Sequence, residues 1–449
     1  MLQLFVPAVI PALIRRHAED AAFYWLQHDA SAYSPRLTLT GLERFSQLLA
    51  AHLEGIDIAG DAGWQHSQAA LQKWRQTGEA FVCAYAALQN NNASQLDAVT
   101  QEVIARPEEL LRAVISALAW VAWPQAQPTL AAWSAGSAGS VMQVAALRAA
   151  ALIGPGAAAS LSQSIDHFLG STNAYVRSAA CRAAAAVGQL PTTDTLLRAA
   201  LQDPDLSVRA EAAIALGKQA YAEGQHHTPF AIKVADVLWH AIVAQVDLHN
   251  ASSGWYRKQT LRRLNRWVQH LAWLVPLGNP ELAALLAFMP VRVALRFAAY
   301  HGDPAHLPFV VKQMDDAATA RYAGWVWQTI TGVDIEAAGM TLPESEPDAS
   351  PAAITQSQLD ADNGMALPDA AKIERYPTTG FQCGKRYLLG QQLSAASLLD
   401  VLDVLEHAPQ ALRSIAVMHL QPSRPEGNLG LRGPVQAQRQ LLSTLRAAL

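Results

Sequence analysis

The stretch Asp203-Pro204-Asp205-Leu206-Ser207-Val208-Arg209-Ala210-Glu211-Ala212-Ala213-Ile214-Ala215-Leu216-Gly217 decides how the rest of the chain is read. Asp203 and Pro204 suit a turn and a helix start, because a short acidic side chain caps free N–H groups and proline tolerates the first helical position. Val208, Ala212 and Ala215 follow at spacings of four and three, which places them on one helical face. Gly217 then stands where such a helix would stop. The pattern recurs. Ser171-Thr172-Asn173-Ala174-Tyr175-Val176-Arg177-Ser178-Ala179-Ala180 runs to Gly188, and a copy anchored on Met142 carries Ala145, Ala146 and Ala149 before Gly154. A weaker copy begins near Leu110. The anchors 110, 142, 176 and 208 are separated by 32 to 34 residues, the period of a two-helix repeat.

Further along, Asn279-Pro280 and Gly302-Asp303-Pro304 open units, and Pro290 and Ala320 each run to a glycine twelve residues on, Gly302 and Gly332. Each unit exposes an apolar face that only its neighbours cover, so the repeats predict an elongated stack with capped ends. The expected fold class is all-α: an α-solenoid of HEAT-type two-helix repeats with a helical N-terminal cap and a small C-terminal helical unit. Composition agrees, since 51% of residues are apolar, only 16% are charged, and alanine and leucine favour helix.

Four segments are expected. Residues 1–95 form the cap, with helices over His17–Gln27, Thr38–His52 and Gly78–Leu88. Residues 96–335 are the solenoid, irregular over 219–278, where Trp239, Trp255, Trp267 and Trp273 suggest longer helices. Residues 336–372 are an acidic, proline-containing linker, with no Lys or Arg between Arg321 and Lys372. Residues 373–449 are the C-terminal unit, with helices over Ser394–Glu406, Pro409–His419 and Val435–Leu449.

A family resemblance rests on four places together: His17-Ala18-Glu19-Asp20-Ala21-Ala22-Phe23, Gly60-Asp61-Ala62-Gly63-Trp64, Ile330-Thr331-Gly332-Val333-Asp334, and Gly384-Lys385-Arg386-Tyr387-Leu388-Leu389-Gly390. Across nearly its whole length the chain resembles a bacterial family of HEAT-repeat proteins often encoded beside type VI secretion components and their effectors. The resemblance implies an interaction role near secretion machinery. It brings no catalytic residues to transfer.

The search for chemistry in the residues themselves finds no GxSxG elbow, phosphate loop, HExxH pair or dinucleotide fingerprint. Gly427, Gly430 and Gly433 lack the strand and helix of a phosphate cradle. Cys83, Cys181 and Cys383 are far apart, so neither a disulfide framework nor a zinc ribbon is expected. Glu108-Glu109 read as residues of a first helical turn. The histidines read as scattered; His226-His227, His240 and His249 have no ligand set, and His17 with Glu19 and Asp20 lacks a second element. No catalytic residue, metal site or cofactor is expected.

A net charge of −4 argues against a dedicated nucleic-acid binder. The apolar first fourteen residues are broken by Pro7 and Pro11 and have their basic pair, Arg15-Arg16, behind them. No export signal, no membrane span and a cytoplasmic location are therefore expected. Candidate partner-binding residues fall in two groups. Arg148 and Arg182 each lie six residues past a repeat anchor, whereas Arg177 and Arg209 read as bonding their own turns. Trp255, Tyr256, Arg257, Lys258, Arg262, Arg263 and Arg266 form a basic, aromatic helix with no acidic residue from 248 to 280. Such a face suits an acidic protein, or phosphates and bases, or is a solvated face over a tryptophan core. The favoured reading is a non-catalytic adaptor for a protein such as a secretion effector or spike component. A nucleic-acid-binding protein or enzyme of the same fold and a self-assembling subunit stand as alternatives.

Overall fold

The computed structural model describes residues 9–187, 191–225, 227–343, 362–393, 398–423 and 429–448. Among these residues the fold is an all-α, HEAT-type solenoid, and strand is confined to the pair Tyr387–Leu388 and Gln391–Gln392. The chain forms two compact units. One comprises Met1–Tyr33, Leu37–Leu196 and Pro425–Leu449; the other comprises Ser34–Arg36 and Leu197–Arg424.

In the first unit the repeat anchors do what their spacing predicts. Leu110 on helix Pro107–Trp120, Met142 on Gly139–Ile153 and Val176 on Ala174–Val187 are all buried, as are Ala145, Ala149 and Ala180 behind them. Small side chains on that face let successive helices approach closely, so the core is continuous. Glu108 and Glu109 lie in the first turn of their helix. The N-terminal segment builds its own helices, Pro11–Ala30, Leu39–Ile58, Asp61–Trp74, Thr77–Gln89 and Ala93–Ala105. Trp25 stacks on Phe81 with centroids 4.7 Å apart. The last helix, Val435–Ala447, belongs to this unit. Arg432 donates to Asp29 at 2.7 Å, and Arg439 to Glu43 at 2.9 Å. The C-terminal stretch is thus shared between the two units, a division that depends on contacts some 400 residues apart in sequence.

In the second unit, helix Leu206–Ala222 carries the quoted motif. Its cap is Asp205, whose carboxylate accepts from Ser207 N at 2.8 Å and Val208 N at 3.1 Å, so the helix starts two residues later than Pro204 suggests. Asn173 serves the same purpose in the preceding copy, accepting from Tyr175 N and Val176 N. Arg209 donates to the carbonyls of Asp203 and Pro204, and Arg177 to those of Ser171 and Thr172, so both arginines tie down their own turns. Gly217 is not a stop. The helix continues to Ala222, and Gly217 is where the Leu274 side chain presses against it, 2.6 Å from where a Cβ would stand. Gly188 lies outside the described residues.

The remaining helices of this unit are Pro229–Ala251, Gly254–Leu274, Leu282–Phe288, Val291–His301, Leu307–Lys312 and Ala320–Thr331. Helices Val291–His301 and Ala320–Thr331 do end at left-handed Gly302 and Gly332. The segment Gly384–Gly390 passes over these ends as a strap. Tyr387 N donates to Gly302 O, Leu389 N to Thr329 O and Gly390 N to Ile330 O, and the buried Arg386 guanidinium donates to Ala272 O and Trp273 O. Carbonyls left open at three helix C-termini therefore find donors in one short stretch.

The apolar and acidic segments each show a further feature. Gly136–Ile153 and Pro229–Ala251 are long and apolar enough, by length and composition, to cross a membrane, contrary to the expectation that no segment is. In Pro229–Ala251 the buried residues Val234, Leu238, Ile242 and Val246 recur at the spacing of a core-facing stripe. Of the acidic stretch, 344–361 lies outside the described residues, but both described ends are packed. Asp369 N donates to Met340 O, Leu342 N donates to Leu367 O, and Arg292 grips Asp362 in a two-pronged pair, one arm at 2.8 Å. Asp362 thus docks on helix Val291–His301.

Candidate functional site

Helices Pro229–Ala251 and Gly254–Leu274 form a long helical hairpin, joined by Ser252 and Ser253. Its register against its neighbours is fixed by specific contacts. Glu211 of Leu206–Ala222 meets Arg266, Gly217 meets Leu274, and the Tyr221 ring lies 4.0 Å from that of Trp273, so these two helices run parallel. On the other flank, the strap places Arg386 on the carbonyls of Ala272 and Trp273, and Tyr387 on that of Gly302. Helix Val291–His301 therefore ends level with residue 273. Being eleven residues long, it begins near the level of residue 263. Leu206 likewise stands near the level of residue 261. Residues 254–261 consequently extend beyond both flanking helices by roughly two turns, about 12 Å at the α-helical rise.

This overhang explains the burial pattern of one helix. Leu264, Trp267, Val268, Leu271 and Trp273 are core. Beyond the neighbours' starts, Trp255 is 38% exposed and Tyr256 71%; Arg257 and Lys258 are exposed as well, as are Arg262 at the base and Leu248 across the hairpin. Trp255 and Tyr256 stand edge to face with centroids 5.2 Å apart. The hairpin is bolted from within: His249 and Thr260 share a 3.0 Å hydrogen bond, and Gln245 donates to Thr260 O. The tip thus joins two aromatic rings, a leucine and three cations on a scaffold with buried polar fastenings.

The seven helix candidates separate into three groups. Trp255, Tyr256, Arg257 and Lys258 share the exposed overhang, and Arg262 is exposed at its base. Arg263 is half-buried beside it. Arg266 is turned inward: its Nε and Nη2 donate to the two oxygens of buried Glu211 at 3.1 and 2.8 Å. Trp267 Nε1 donates to the same carboxylate at 3.3 Å. Burial, aided by Arg266, pushes Lys218 down to about 8, with Glu211 opposing. Arg148 and Arg182 occupy equivalent places on the packed helices Gly139–Ile153 and Ala174–Val187 of the first unit; both are half-buried and already engaged.

Glu211 is the residue that sequence reasoning passed over. A carboxylate beside a basic aromatic helix could serve acid–base chemistry, and Glu211 stands in that place. Two guanidinium bonds and an indole N–H occupy it, and it is buried, so it holds the helix instead of facing a substrate. The signal lay in the motif, where a glutamate interrupts a run of alanines one residue from the core face. Removing it would strand the Arg266 charge and the Trp267 N–H. Glu211→Ala is expected to destabilise the protein by about 3 kcal/mol, as when one member of a buried pair is lost, read as a lowered unfolding transition in calorimetry.

Other polar clusters are sparse among the described residues. Asp403, Glu406 and His407 bring ligand-type atoms within 4.8 Å of one another on helix Leu398–His407, largely at the surface. His240 bonds the Asp236 carbonyl one turn back. His226 lies outside the described residues. The second element missing for His17 is supplied by helix Leu39–Ile58, whose His52 faces it at 3.0 Å.

Comparison with known proteins gives one positive finding: residues 161–227 match the HEAT repeats family. The match covers the two clearest motif copies and the helix between them. No curated protein and no solved structure matches the chain significantly.

Proposed function

We propose that this HEAT-repeat protein is a non-catalytic adaptor whose projecting hairpin docks an acidic protein partner. HEAT repeats commonly mediate protein–protein interaction, and the overhang of residues 254–261 is the observation that carries the reading to a place. Solvent-facing aromatic residues next to arginine are the composition of interface anchors. Their support on a two-helix projection, clear of flanking helices, leaves several sides open to a partner. The resemblance to proteins encoded beside type VI secretion components suggests a secretion effector or spike component as that partner, and the cytoplasm as the place where they meet.

The nucleic-acid reading uses the same three cations, but the overhang has few of them and the chain is acidic overall. The test is capture from a native lysate by the tagged protein beside its Trp255→Ala, Tyr256→Ala, Arg262→Ala triple variant. The adaptor reading expects a defined protein partner that survives nuclease treatment and whose affinity drops at least ~100-fold in the variant, since anchors contribute about 2 kcal/mol or more each. Equal capture by both forms, or capture that nuclease abolishes, refutes it.

A further inference from the structure

The strongest unassigned chemistry lies in the first unit, between helices Pro11–Ala30 and Leu39–Ile58. His17 Nδ1 and His52 Nδ1 face each other at 3.0 Å, one donating to the other. Two further contacts hold the rings. Gly55 lacks the side chain that would strike the His17 ring, since a Cβ there would stand 2.9 Å from its Cε1 and Nε2. Tyr24 stacks on His52 with an interplanar angle of 18° and centroids 5.5 Å apart. On the far side of His52, Nε2 lies 3.9 Å from Asp20 Oδ2.

We propose that His17 and His52 are the protein ligands of a site for a late first-row divalent ion, of the Zn2+, Ni2+ or Cu2+ class, with Asp20 as the residue that positions His52. Imidazole is the favoured nitrogen ligand for these ions. Two nitrogens each about 2.1 Å from an ion are about 3.0 Å apart when they subtend a right angle, and about 3.4 Å when tetrahedral. The observed pair is therefore preset to the span an ion requires. A carboxylate on the outer nitrogen of a ligating histidine is the usual device for fixing its tautomer, because it keeps the proton on Nε2 and leaves the Nδ1 lone pair inward. Asp20 stands on that side of His52. In the free site His17 carries its proton on Nδ1; on metal binding the proton moves to Nε2, and both inward lone pairs meet the ion with no net loss of charge. Both rings are half-buried, so the remaining coordination positions open to water. Arg16 donates to Asp20 at 3.3 Å and moderates the negative charge at the rim.

The test uses the full chain, stripped with chelator and titrated calorimetrically with Ni2+ and Zn2+. One ion per chain is expected at this site, with affinity at least ~100-fold lower in His17→Gln and in His52→Gln. Asp20→Asn should weaken binding by about 10-fold, the cost typical of losing an outer partner. His407→Gln, in the other cluster of ligand-type residues, should leave this binding unchanged. Cu2+ electron paramagnetic resonance on the unaltered chain provides a readout independent of variant folding, and nitrogen couplings from two imidazoles are expected. Binding that persists in the His17→Gln, His52→Gln double variant, or a Cu2+ signal with oxygen ligands alone, overturns the proposal, as does failure of the unaltered chain to bind.

Discussion

Acidified from pH 6.5 to pH 4, the protein is expected to lose several kcal/mol of stability and to unfold at a markedly lower temperature. His28 is buried, neither ring nitrogen has a protein hydrogen-bond partner, and the ring meets Trp120 edge-on. Burial holds it down at about 4; Asp29 opposes this and Arg432 adds to it. His306, hydrogen-bonded to fully buried His301, is likewise pushed down to about 4 by burial, and His301 lies well below its ordinary value. Between pH 6.5 and 4 the unfolded chain takes up protons at these sites while the folded chain does not, so stability falls as the pH is lowered across that window. At about 1.4 kcal/mol per unit, His28 alone contributes a loss of up to about 3 kcal/mol. Asp57 and Glu79, whose carboxyls burial pushes up, offset part of this near the lower end. His28→Leu removes one titration and should flatten the melting temperature against pH, read by calorimetry from pH 7.5 to 4. An unchanged slope would show that His28 is not held neutral by burial.

The second large effect is expected at Gly332. It combines a left-handed backbone, φ +72°, with a position where a Cβ would collide with the Leu389 carbonyl of the strap. Alanine there incurs about 1–2 kcal/mol for the backbone conformation and a further ~1–3 kcal/mol for overpacking. Gly332→Ala should thus destabilise the unit by about 2–5 kcal/mol. Gly339→Ala supplies the control, because Gly339 has φ +65° but nothing within 4 Å of a Cβ. If the two variants melt alike, the strap's close approach contributes nothing, and only the backbone conformation matters.

Gly332 also shows how far local sequence carries. Its place twelve residues after Ala320 announced a helix end, and the helix ends there. Nothing in the local pattern announced that a segment fifty residues on would cross it, since such a crossing is encoded only in the shape of the partner. The same limit explains Gly217. A glycine after an alanine-rich helix reads as a stop, yet the Leu274 side chain fills the space and the helix runs on. Anchors such as Val176 and Val208 were legible because burial at helical period is a property of one segment. The overhang was not, because it follows from comparing three helices, one registered against the hairpin by Glu211 and Gly217 and another by the strap. The basic and aromatic residues at 255–262 were visible as composition; the inward turn of Arg266 was hidden, because Glu211 lies 55 residues before it.

The most direct measurement of the central claim is site-specific photo-crosslinking in cells, with the reactive residue placed at Tyr256 on the hairpin and, in parallel, at Tyr175 in the first unit, which is similarly exposed at 69%. The account predicts a discrete crosslink to an acidic segment of one protein from position 256, lost when Arg257, Lys258 and Arg262 are replaced by alanine, and absent from position 175. Crosslinks from position 175 with none from 256, or crosslinks from 256 that persist without the three cations, would contradict it.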